Sequence, residues 1–75
     1  MEKLIEILKK YNADVDYYTN EHLIDEELLD SFDIISIVAD IDNEFDVEIT
    51  AKDIIPENFN SAEAMWKMIQ RLKDE

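Results

Sequence analysis

The sequence predicts an all-α domain: a small four-helix bundle with three main helices, one short helix and a long loop between the first two. Three observations carry that expectation. Apolar residues recur at the spacing of an amphipathic helix in three separate stretches. Good N-cap residues stand just before the second and third of these. The one stretch that alternates like a strand, Asp46-Val47-Glu48-Ile49-Thr50, has no second strand to pair with and reads as an extended connection. At 75 residues there is room for a single core, so residues 1–75 read as one domain.

In the first helix, Leu4, Ile5, Leu8 and Tyr11 share one face, with Glu2, Lys3, Glu6, Lys9 and Lys10 mostly outside it. Glu6 and Lys10 add a favourable i, i+4 pair. Residues 12–30 show no period. Asn12, Asp14, Asp16 and Asn20 favour turns, and Val15, Leu23, Ile24, Leu28 and Leu29 are the apolar residues able to pack such a loop. One short turn is expected near residues 25–29. The second helix takes Asp30 or Ser31 as its N-cap and Asp33 in its first turn, and Ile34, Ile37, Val38, Ile41 and Phe45 form its core stripe. Thr50 with Asp53 predicts a short capped turn ended by Pro56. The last helix starts at Asn60 or Ser61, with Glu63 three residues after Asn60 as in a capping box. Met65, Ile69 and Leu72 form its inner face, flanked by Trp66 and Met68.

Composition separates folding from disorder and removes several chemistries. The net charge is −13, yet Leu, Ile, Val and Phe make up 23 of the 75 residues, enough to supply a core. No cysteine means no disulfide, no thiolate metal site and no cysteine nucleophile. No glycine means no phosphate-cradling loop of the kinds that need glycine backbone. With His22 the only histidine, no histidine metal site or relay is expected, and His22 reads as a loop residue. The acidic balance disfavours nucleic acid and anionic membrane surfaces. No apolar run is long enough for a membrane span, and the charged first ten residues do not read as a signal peptide. A cytoplasmic, monomeric protein with basic partners is the expectation. The charge is concentrated: residues 21–60 hold thirteen acids and only Lys52, whereas the two ends are close to neutral. A one-signed field of that kind steers a basic partner toward it.

The second helix has a further apolar stripe. Phe32, Ile35 and Ala39 fall at i, i+3 and i+7, off the core face, so they either pack on another neighbour or face a partner. Asp30-Ser31-Phe32-Asp33 opens this helix and Glu44-Phe45-Asp46-Val47-Glu48-Ile49 closes it. From Leu28 through Ile49, and more loosely through Phe59-Asn60-Ser61, the sequence resembles the acyl and peptidyl carrier proteins, whose signature is Asp-Ser-Leu-Asp at the start of a long second helix ending in Glu-Phe. That resemblance implies a non-enzymatic carrier, with 4′-phosphopantetheine from coenzyme A joined to Ser31 through a phosphodiester. It also implies that Phe32, Ile35 and Ala39 face partner enzymes, with Asp30, Asp33, Asp40, Asp42 and Glu44 meeting their basic rims. The implied partners are a Mg²⁺-dependent phosphopantetheinyl transferase, an acyl- or amino-acid-activating ligase, and synthases or transferases. Without a cysteine, the working thiol of such a carrier has to arrive from outside the chain.

Three positions depart from the pattern: Phe32 replaces the usual Leu, as in D-alanyl and some other discrete aminoacyl carriers; Leu28-Leu29 stands where a Gly is usual; and Ser36 occupies a position where fatty-acid carriers often have Glu. Fatty acyl, D-alanyl, other aminoacyl and polyketide cargoes therefore all stay open. Taken without the resemblance, Ser31 reads as a plain N-cap. An alternative use of the charge is an acidic DNA mimic or another unmodified interaction domain. Asp40, Asp42 and Glu44 alternate as in a calcium loop, but Phe45 and Ala51 fall where that loop needs Gly and Glu. A hydrolase with paired carboxylates is not expected, because so short a chain has no pocket-sized fold to place around them.

Overall fold

The computed structural model describes residues 1–74. Its elements are α1 (Glu2–Lys9), α2 (Ser31–Phe45), a 3₁₀ turn (Ala51–Asp53), α3 (Pro56–Phe59) and α4 (Ala62–Lys73). The fold is a small all-α bundle, as expected, with no strand among the described residues. Residues 47–50 form a connection without regular secondary structure, with Thr50 in extended backbone. No helix among those residues is long and apolar enough to cross a membrane.

The core follows the helical stripes. Leu4, Ile5, Ile7 and Leu8 of α1, Ile34, Ile37 and Ile41 of α2, and Ala62, Met65, Met68 and Ile69 of α4 are buried in one cluster. Val38, Phe45, Trp66 and Leu72 pack against it half-buried. Trp66 meets Phe45 edge-on, their ring centroids 5.7 Å apart, where the C-terminal end of α2 lies beside α4. Two ion pairs stitch α1 to α2: Lys10 Nζ lies 3.1 Å from Asp40 and Lys3 Nζ lies 3.7 Å from Glu44. Both are partly exposed and weak singly. Lys10 thus reaches across to α2 rather than along its own helix to Glu6.

Residues 10–30 form the long connection, and its own side chains hold it down. Val15, Leu23 and Leu29 are buried as expected. Tyr17, which carries no periodic signal, is buried too. Its hydroxyl donates to the Asn12 carbonyl at 2.6 Å and lies 3.1 Å from the Leu8 carbonyl. Burial, and then the nearby Asp33 charge, push the Tyr17 pKa up. Asn60, the C-cap of α3, ties the loop to the junction of α3 and α4: its Oδ1 accepts from the Ile24 and Asp25 N–H groups and its carbonyl accepts from Leu23 N–H at 2.9 Å. That leaves Ser61 as the N-cap of α4, its Oγ accepting from Ala64 N–H at 3.0 Å. Pro56 differs in role from the expectation. The 3₁₀ turn already ends at Asp53, and Pro56 opens α3 at a position where its missing N–H costs nothing.

Two non-glycine residues take the left-handed conformation: Asp46, the C-cap of α2, at φ 55°, and Glu27, in the loop, at φ 57°. Such a backbone favours glycine, and a Glu lacks the short side chain that lets Asp or Asn tolerate it. Replacing Glu27 with Gly is therefore expected to stabilise the fold by about 0.5–1 kcal/mol after glycine's extra unfolded-state entropy is counted. Urea unfolding checks it as a higher midpoint at unchanged m.

Candidate functional site

The start of α2 is built by two carboxylates. Asp30 is the N-cap, in extended backbone, and its Oδ1 accepts from Asp33 N–H at 2.8 Å; Asp33 Oδ2 in return accepts from Asp30 N–H at 3.3 Å. This reciprocal box assigns the cap to Asp30 and moves Ser31 to the first helical position, where its side chain is exposed. The plain N-cap role is thus already filled by the neighbour. The N–H groups of Ser31 and Phe32 lie within the first helical turn, too early for the ladder to use, and the box employs only those of Asp30 and Asp33.

The second stripe of α2 faces solvent rather than another helix. Phe32 is 80% exposed, Ile35 64% exposed, and Ala39 is exposed further along. Bare apolar groups of that size on one helix face make it a candidate contact surface. The acidic candidates divide. Asp30 and Asp33 sit with Ser31, Phe32 and Ile35 at the N-terminal end. Asp40, Asp42 and Glu44 are tied to the fold: Asp40 accepts from the Tyr11 hydroxyl and Lys10, Asp42 Oδ1 accepts from Ile49 N–H at 3.0 Å, and Glu44 pairs with Lys3. His22 is an exposed loop residue with its Nδ1 3.5 Å from Asp25.

An open cavity of about 780 Å³ lies beside Ser31. The start of α2 supplies Ile34 and Ile35, the loop Ile24 and Leu29, and the opposite wall is Ile54, Ile55, Pro56 and Phe59. Its polar lining is Ser31 with the acids Glu27 and Asp30. The expectation that so short a chain forms no sizeable pocket is therefore wrong. The long loop and the segment between the 3₁₀ turn and α3 stand off from α2 and enclose space between them. The adjacent β-branched pair Ile54-Ile55, outside every helical stripe, was the sequence signal for a wall that faces something other than the core.

Compared with protein-family models, with curated proteins and with solved structures, the chain matches none.

The Tyr11–Asp40 contact has a pH signature. The Tyr11 hydroxyl, then Lys10, lowers the Asp40 pKa, and the same bond with Asp40 raises that of Tyr11. A lowered carboxyl pKa contributes stability above the unfolded-state pKa that is lost as pH falls through the folded one. A raised phenol pKa contributes stability below the unfolded value of 10.0 that is lost as pH climbs past it. Tyr11→Phe is expected to flatten the pH dependence of unfolding free energy on both the acid and the alkaline limb, measured by urea unfolding across the pH range.

Proposed function

We propose that this chain is a carrier protein whose Ser31 holds 4′-phosphopantetheine and that presents acyl or aminoacyl groups to partner enzymes. The observation that carries the reading is the Asp30-Ser31-Phe32-Asp33 motif at the start of a 15-residue helix, with Ser31 exposed and released from capping by Asp30. Ser31 has two neighbours suited to a phosphodiester. The Ser31 and Phe32 N–H groups point out of the positive end of the helix dipole, which favours an anion. The Asp30 and Asp33 carboxylates oppose it by like charge, but each is already engaged by the other's N–H. When bound, the group would supply the thiol that this chain lacks and hold cargo as a thioester.

In attachment, the Ser31 hydroxyl gives up its proton to the transferase and its Oγ gains one phosphorus–oxygen bond, while the bond to the nucleotide half of coenzyme A breaks. Catalysis belongs to the partners in this reading. The carrier contributes tethering, which raises the effective concentration of its cargo at each active site. Phe32 and Ile35 offer the apolar centre of a docking surface, and Asp30 and Asp33 offer its charged edge.

Intact-mass measurement after incubation with coenzyme A and a broad-specificity phosphopantetheinyl transferase tests this. The expected result is a gain of one phosphopantetheine in the wild-type chain and none in Ser31→Ala; no gain, or an equal gain in both, overturns the proposal. The modification rate is also expected to fall as salt rises, because the attraction between the acidic segment and a basic transferase is screened.

A further inference from the structure

Residues 50–58 run past the cavity as a strap between two buried anchors, Ile49 and Phe59. Within that strap one side chain alone is buried, and it is a carboxylate: Asp53, 6% exposed. Ile54 and Ile55, which form the cavity wall, are each 39% exposed and so only partly buried. The middle of the strap therefore has no fully buried apolar side chain, and its one buried group is this carboxylate.

Both oxygens of Asp53 are engaged. Oδ2 accepts from the Thr50 hydroxyl at 3.1 Å and from Thr50 N–H at 3.4 Å, and Oδ1 accepts from the Arg71 guanidinium at 3.0 Å. The Asp53 carbonyl accepts from Asn58 Nδ2 at 2.8 Å, which folds the rest of the strap back on the same residue. Burial pushes the Asp53 carboxyl up, but the Thr50 donors and the Arg71 charge outweigh it and hold the pKa below its ordinary value. Arg71 stands in the last turn of α4, its side chain 54% exposed, so the partner that holds the strap is reachable from solvent.

We propose that the Asp53–Arg71 ion pair is a positioning element that pins the strap to α4 and thereby fixes the wall formed by Ile54 and Ile55 across the cavity from Ser31. The inference goes beyond the carrier reading and concerns the cavity whether or not Ser31 is modified. A buried carboxylate loses more when one partner is removed than the pair contributes as a whole, because the remaining charge is left without compensation. Arg71→Met acts on the strap first, since the stripes of α1, α2 and α4 are held by apolar burial instead.

Amide hydrogen exchange on the unmodified full chain tests this. The Ile54, Ile55 and Asn58 N–H groups donate to Ala51, Asp53 and Ile55 carbonyls, so their protection reports the strap. In Arg71→Met they are expected to exchange at least about tenfold faster, as suits the loss of a charge-assisted hydrogen bond, with Arg71→Lys intermediate. The methyl resonances of Ile34 and Ile35 across the cavity are expected to shift while those of Ile5 and Ile69 in the core stay. Unchanged exchange, or equal acceleration in α1, α2 and the strap, overturns the proposal. If Arg71→Met does not fold, Asp53→Asn keeps the size of the side chain, removes its charge toward Arg71 and carries the same test with the same two overturning outcomes.

Discussion

Side-chain oxygens aimed at backbone N–H groups hold this fold together where apolar burial stops. Asp30 and Asp33 close the start of α2, Asp42 ties Ile49 N–H to the last turn of α2, and Asp53 gathers Thr50 N–H at the 3₁₀ turn. Asn12, Asp16 and Asn20 each take an N–H two residues on within the long loop, and Asn60 takes those of Ile24 and Asp25. A chain without glycine has few tight turns open to it, and these short side chains satisfy loop backbone instead. Part of what looks like surplus acid in the composition is thus internal fastening.

That division explains what the sequence disclosed. The helices were legible because their stabilisation is periodic: Ile34, Ile37 and Ile41 fall on the core side and are buried there. Ile7 joined the core although it lies off the narrow stripe, because a small bundle surrounds α1 more widely than one face. The loop was legible only in outline. Tyr17 is fixed by carbonyls five and nine residues earlier, and Asn60 serves N–H groups some 35 residues before it, so no local pattern announces either. The choice between Asn60 and Ser61 as cap was decided by that same distant demand.

The candidate site was legible at one end. The exposure of Phe32, Ile35 and Ala39 follows from a second stripe with no neighbour to cover it. Asp40 and Glu44, grouped with them by sign of charge alone, turn out to face Lys10 and Lys3 of α1. Charge counts along a chain cannot foresee which acids a distant lysine will neutralise. The net effect is that Asp30 and Asp33 beside Ser31 keep their charge without a cationic partner, whereas Asp40 and Glu44 do not. The cavity was not foreseen because it is a property of how two irregular segments stand off from a helix, and neither segment has a period.

The edge-on pair of Phe45 and Trp66 makes the single tryptophan an optical reporter of a particular kind. Its partner Phe45 closes α2 at the opposite end from Ser31, about 21 Å along the helix axis at the rise of an α-helix. Its emission follows the contact between the end of α2 and α4, away from the capping box that carries Ser31. Folding and site chemistry can therefore be watched separately in one unlabelled sample, with fluorescence for the first and mass for the second.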